Sequence, residues 1–280
     1  MKIKNIVLSG GGIKGLAICG TLQQLEEKDY LKDVKNIYGS SIGAYIAFFL
    51  AMGMTISQLI AMFKTVRLDE FQQFDMRLLL QKYGFDEGHK FSNFLKATIK
   101  TADIDPCITF EEFAKIAKYN IVLVGTNLTK SAPAYFSEQT TPKMEVCQAL
   151  RISGSYPIAF TPITIDGELY SDGAIMCPVP YESIPKEELP ETLGIVLHKA
   201  NTTNRPDSVY TFLFLIISCI IDSLVEKSLL ALEQKIVMSI PINALSFDIS
   251  DEQKEKLLET GREHANDWIE SITLKVEDVD

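Results

Sequence analysis

Two short glycine-rich segments, each directly after an apolar run, constrain this chain more than any other feature. Ser9-Gly10-Gly11-Gly12-Ile13-Lys14-Gly15 follows the run Ile3 to Leu8, and Gly39-Ser40-Ser41-Ile42-Gly43 follows a shorter run about thirty residues later. Glycines at the start of a helix present unpaired backbone N–H groups, where an anion is held. The second segment is a G-x-S-x-G pattern. It belongs to a sharp strand-to-helix turn that lifts a serine hydroxyl clear of the backbone. A nucleophile and an oxyanion cradle on neighbouring strand ends make up most of an acyl-transfer site.

The pattern along the chain predicts alternating strands and helices near the N-terminus. Strands are expected at residues 3–9, 36–39, 120–126 and 193–198, with helices at 16–28 and 42–52, the latter apolar all round. Residues 163–170 read as a hairpin around Asp166-Gly167. Helical patterns cover parts of 55–118, expected as a helical insertion that covers the substrate, and then 210–240 and 251–272. Thr55 to Gln58 and Thr109 to Glu112 have the spacing of capping boxes. Alternation of this kind predicts an α/β fold: a three-layer α/β/α sandwich with a mainly parallel central sheet, its site at the carboxyl ends of the strands. The expected organisation is a single domain over 1–280, its motif core at about 3–200 and a helical part at about 205–280 packed on it.

Composition narrows the function classes. The net charge of −10 argues against nucleic acid as a partner and against broad electrostatic binding to anionic lipid. Five scattered cysteines with no C-x-x-C pair point to reduced thiols rather than a zinc or disulfide framework. An intracellular, cytoplasmic location follows as an expectation, with peripheral contact at membranes. The apolar run Val209 to Ile221, ended by Asp222, falls short of the roughly 20 residues of a spanning helix and reads as a buried helix.

Other chemistries fit the motifs less well. Gly10, Gly12 and Gly15 also satisfy G-x-G-x-x-G, but a dinucleotide site needs an acidic residue at the end of the second strand, which here ends in Gly39-Ser40-Ser41. No Gly-Lys-Ser/Thr completes a phosphate-binding loop. The serine needs a base. Asp172 follows a hairpin strand, and His198 ends another. The order Ser41, Asp172, His198 is that of an α/β-hydrolase triad, which stays open as an alternative. His89 and His264 read as solvated, as does Lys14.

Taken together, the segments resemble the patatin-like phospholipase family. Gly10 to Gly15 is similar to its oxyanion loop, Gly39 to Gly43 to its nucleophile elbow, and Asp172-Gly173-Ala174 to its aspartate motif. Ile152 to Pro162 resembles its serine-rich block, and Thr126-Asn127-Leu128 a further segment. The resemblance implies a Ser-Asp dyad that hydrolyses lipid acyl esters without a cofactor. In it Ser41 is the nucleophile and Asp172 its base, with N–H groups of Gly10, Gly11 and Gly12 as the oxyanion hole. It implies a lipid or phospholipid substrate. Ser9, where many relatives have aspartate, Ala174 and Cys177 depart from the family pattern. An inactive lipid- or partner-binding module on the same fold is the other reading. The expected rim of a lipid groove comprises Phe63, Phe71, Phe74, Phe212, Leu213, Phe214 and Leu215.

Overall fold

The computed structural model describes residues 2–66, 74–199, 205–242, 246 and 249–277. In chain order the strands are β1 (Asn5–Leu8), β2 (Asn36–Ser40), β3 (Gly84–Asp86), β4 (Asn120–Asn127), β5 (Ala132–Phe136), β6 (Ile158–Phe160), β7 (Ile163–Ile165), β8 (Glu168–Asp172), β9 (Thr192–Lys199) and β10 (Gln234–Ile240). The helices are α1 (Gly15–Glu27), α2 (Ile42–Ala51), α3 (Ile56–Thr65), α4 (Met76–Lys82), α5 (His89–Lys100), α6 (Phe110–Phe113), α7 (Val146–Ser153), α8 (Val209–Ala231) and α9 (Asp251–Glu277). The capping box at Thr55 forms and starts α3. Asp166 and Gly167 both have positive φ and close the β7–β8 hairpin.

Strands β10, β9, β1, β2 and β4 run parallel in that order, while β5, β8 and β7 add antiparallel pairs. Strand β4 organises the site. Along one edge, β5 pairs with Leu123 to Asn127. Strand β2 pairs with Asn120 to Val124, and β8 with Gly125 to Asn127. Both β2 and β8 must therefore use the opposite edge, meeting end to end. Ser40 faces Val124 and Asp172 faces Gly125, so Ser41 and Asp172 are brought together by neighbouring positions of one strand.

One face of the sheet carries the main core, an apolar cluster extending from Ile3 to Trp268. Helix α2 is its centre: Ala47, Phe48 and Ile46 are fully buried. Each large side chain buried in this way contributes roughly 1.5–3 kcal/mol. Helices α1 and α9 cross backbone to backbone. A Cβ at Gly20 would lie 2.1 Å from the Leu258 carbonyl oxygen, and one at Gly261 2.0 Å from that of Ala17, so any larger residue at either position forces the helices apart.

The second face is covered by the segment around Val179 and Ile184 and by the C-terminal half of α8, through Val225 and Leu232. Two expectations are corrected here. Residues 234–240 are a strand pairing with β9, not a continuation of the preceding helix. Helix α8 is also not buried as a whole: its first half is largely solvent-facing, with Phe212 50% and Ile220 54% exposed.

Candidate active site

Ser41 sits at the turn between β2 and α2 with φ 53° and ψ −124°, a conformation worth roughly 1–3 kcal/mol of strain for a non-glycine residue. The flanking glycines make the turn physically accessible. A Cβ at Gly39 would lie 2.4 Å from the Gly43 carbonyl oxygen, and one at Gly43 2.3 Å from that of Leu8. The Ser41 N–H donates to Ser153 Oγ at 2.9 Å, which leaves the hydroxyl as its free reactive group. The N-terminus of α2 lies directly behind it, a site that favours developing negative charge.

Asp172 ends β8. Its Oδ2 accepts the Ser41 hydroxyl at 2.8 Å, and its Oδ1 accepts the Ala174 N–H at 2.8 Å. The backbone is held as firmly: Asp172 N donates to the Ser155 carbonyl at 3.0 Å, and Thr126 Oγ1 donates to the Asp172 carbonyl at 2.8 Å. Asp172 is fully buried. Burial pushes its carboxyl up to about 7, with the Ala174 N–H and the Ser41 hydroxyl opposing that rise. A carboxylate of this basicity takes a proton from an attacking alcohol far more readily than a solvated one.

The glycine loop lies against both residues. A Cβ at Gly10 would come within 3.2 Å of Ala174 Cβ and 3.3 Å of Ser41 Cβ. Ser9 is buried, and its Oγ accepts from Leu197 N at 2.8 Å, which ties the loop to β9. Of the three expected oxyanion donors, Gly10 is corrected: its N–H is committed to the Pro178 carbonyl at 3.1 Å. Gly11 and Gly12 are the loop positions that remain. Lys14 is buried rather than solvated.

The histidines stand apart from this centre. His198 Nε2 lies 3.8 Å from Glu226 Oε1 on α8, and the direct Ser41–Asp172 contact leaves no place for an imidazole between them. The triad geometry is therefore absent. His89 is exposed beside Glu87, and His264 Nδ1 lies 2.8 Å from the Thr260 carbonyl. Cys177 is a buried thiol near the Tyr135 hydroxyl, and burial pushes it up to about 12, which makes it unreactive.

Four supporting residues had no role assigned from sequence. Ser153, Ser155 and Thr126 lie in segments whose resemblance was visible, and their hydrogen bonds hold Ser41 and Asp172. Arg151 carried no signal. Its guanidinium donates to Ser155 Oγ at 2.5 Å and to the Glu87 carbonyl at 2.8 Å, and lies over the Phe160 ring. It joins the β3 end of the helical insertion to the loop behind Asp172.

An apolar cleft opens beside the elbow. Gly12 and Ile42 form one wall, with Tyr45, Met62, Phe63 and Phe91 among the others. Phe63 is thus where a groove residue was expected. Phe74 is exposed and stacks on Phe85; Phe212 and Leu213 are exposed, and Phe214 packs near Tyr156. Phe71 lies outside the described residues.

Comparison with known proteins agrees with this geometry. Residues 6–184 match the model of the patatin-like phospholipases. An uncharacterised protein of Acanthamoeba polyphaga mimivirus is 29% identical over 93% of this chain and 91% of its own length. A probable lipid hydrolase of Invertebrate iridescent virus 6 is 32% identical over 61% of this chain and 60% of its own length. The crystal structure of VipD from Legionella pneumophila superposes with a TM-score of 0.69 at 19% identity, covering 97% of this chain and 67% of that one. The glycine loop, the elbow and the Asp172 turn all fall inside the matched residues, and the chain belongs to the patatin-like phospholipase family of lipid hydrolases.

Proposed function

We propose that this chain is a lipid acyl hydrolase of the phospholipase A or lysophospholipase type, working through a Ser41–Asp172 dyad and an acyl-serine intermediate. The observation that carries the reading is the 2.8 Å hydrogen bond from the Ser41 hydroxyl to a carboxylate buried beyond the reach of solvent. Asp172 accepts the hydroxyl proton as Ser41 Oγ attacks the ester carbonyl. The oxyanion forms against the N–H groups of Gly11 and Gly12, each such donor being worth roughly a hundredfold or more in rate. Asp172 then returns the proton to the departing alcohol. Water, giving a proton to the same carboxylate, attacks the acyl carbonyl; the bond to Ser41 Oγ breaks, Asp172 returns that proton to Oγ, and the fatty acid leaves.

The cleft suits the fatty chain of the substrate. It begins at Gly12 and Ile42, adjoining the oxyanion loop and the nucleophile, and its lining is almost wholly apolar. A chain lying there leaves its carbonyl beside Ser41 and its headgroup towards solvent.

A fluorophosphonate probe and a panel of phospholipids and lysophospholipids test the reading. Wild type labels and hydrolyses; Ser41→Ala does neither while keeping its circular dichroism spectrum. Loss of a nucleophile in a serine hydrolase costs about a millionfold. Residual ester hydrolysis above roughly a few per cent of wild type is far outside that range and overturns the assignment. A wild type that binds lipid without labelling or hydrolysis establishes the binding-module reading instead.

A further inference from the structure

Helix α8 has the length and apolar composition of a membrane-crossing segment, yet only 6% of its most apolar 18-residue stretch is buried. Its second half carries Asp222, Glu226 and Lys227, while Ile221, Val225 and Leu229 pack onto the sheet. Its first half is different. Between Ser208 and Ile221 there is no ionisable side chain except the Tyr210 phenol and the Cys219 thiol. Phe212, Leu213, Ile216 and Ile220 face outward.

The position of this half-helix is specific. Helix α8 touches the turn Gly173–Ile175 that follows Asp172. Tyr156, two residues beyond Gly154, binds it twice: its hydroxyl hydrogen-bonds with Ser218, and its ring lies 6.1 Å from that of Phe214. Tyr210 meets Phe74 and Phe85 edge-on, joining α8 to α4, where Leu80 is 78% exposed and Met76 55%. The result is an apolar face beside the turn after Asp172, uncharged along α8 and flanked on α4 by Arg77.

We propose that this face, the first half of α8 with Met76 and Leu80 of α4, seats the protein on the surface of a zwitterionic bilayer so that the mouth beside Ser41 opens onto lipid. The inference rests on the lipid-hydrolase reading. Three observations select a bilayer as occupant. The face is continuous with a site whose substrate resides in membranes. Its larger part, the first half of α8, carries no cation to attract anionic headgroups, and the chain's net charge of −10 outweighs the single Arg77 beside Met76 on α4. A second copy would bring two such charges together and close both mouths. An interfacial helix of this kind binds through buried apolar area, with the charged body of the protein left in water.

The test uses vesicles of pure phosphatidylcholine, the same vesicles doped with phosphatidylserine, and a short-chain p-nitrophenyl ester in solution. The variants are Ile216→Ser/Ile220→Ser and, separately, Leu80→Ser, all exposed positions where polar substitution scarcely affects folding. Wild type is expected to co-sediment with phosphatidylcholine vesicles and to gain nothing from phosphatidylserine. The double variant should lose vesicle binding and vesicle hydrolysis by roughly tenfold or more, with Leu80→Ser intermediate. Both should keep hydrolysis of the soluble ester within about twofold. Unchanged vesicle binding by the double variant overturns the proposal. So does a wild-type dimer in sedimentation velocity that the double variant converts to monomer, since the occupant is then a second copy. Vesicle binding by wild type with no hydrolysis of any ester supports the docking face and removes the hydrolase reading beneath it.

Discussion

At the residue scale, the proposed chemistry is concentrated in a carboxyl group with no exposed surface of its own. In the proposed mechanism Asp172 is ionised when it accepts the serine proton, so kcat/KM should rise with pH to a plateau above an apparent pKa of about 7. Asp172→Asn should remove activity almost as fully as loss of the nucleophile, while the fold persists. Its stability carries the opposite signature. A carboxyl whose folded-state pKa is raised contributes stability fully present below its ordinary value of 3.8 and lost as pH rises through about 7. The difference in melting temperature, Asp172→Asn minus wild type, should therefore grow between those limits and level off above them, as thermal unfolding across pH will show. His198→Ala should keep most of its hydrolytic rate, since its nearest charged neighbour is Glu226 and it lies outside the Ser41–Asp172 contact. A rate as low as that of Ser41→Ala would show that a histidine does take part.

At the scale of elements, the strongly patterned parts were legible and the unpunctuated ones were not. The first strand, the elbow and α2 follow from apolar runs broken by glycines, and the Thr55 box marks the start of α3. Strand β10 was hidden because Ala231-Leu232-Glu233 connects helix to strand without glycine or proline, so the apolar pattern appears unbroken. Strands β3 and β6 are three residues each, too short for a period to register. Helix α8 is apolar whether it faces the core or a membrane, and composition alone does not separate the two. In the site, Ser41 and Asp172 were readable from motifs. The engagement of Gly10 N–H by Pro178 and the clamp formed by Arg151 depend on contacts between distant segments. Arg151→Met tests that clamp. Its volume is kept while the donors to Ser155 and Glu87 are lost, at a cost of about 1.5–3 kcal/mol. Urea unfolding should register that loss. kcat on a soluble ester should fall with KM unchanged, since Arg151 acts through the loop that holds Asp172 and touches no substrate.

At the scale of the whole molecule, the contact between Ser41 and Asp172 is set by strand β4. Ser41 follows the residue opposite Val124 and Asp172 is opposite Gly125, so the distance between them is a property of hydrogen-bond register in the central sheet. Neither depends on a mobile loop for its position. Heating should make this visible: hydrolysis of a small soluble ester and the far-ultraviolet signal of the sheet should disappear in one coincident transition. Activity lost many degrees earlier would mean that the pair comes apart in a locally unfolded state. Built this way, the sheet behaves as a ruler: wherever it is folded, the spacing of Ser41 and Asp172 is already set.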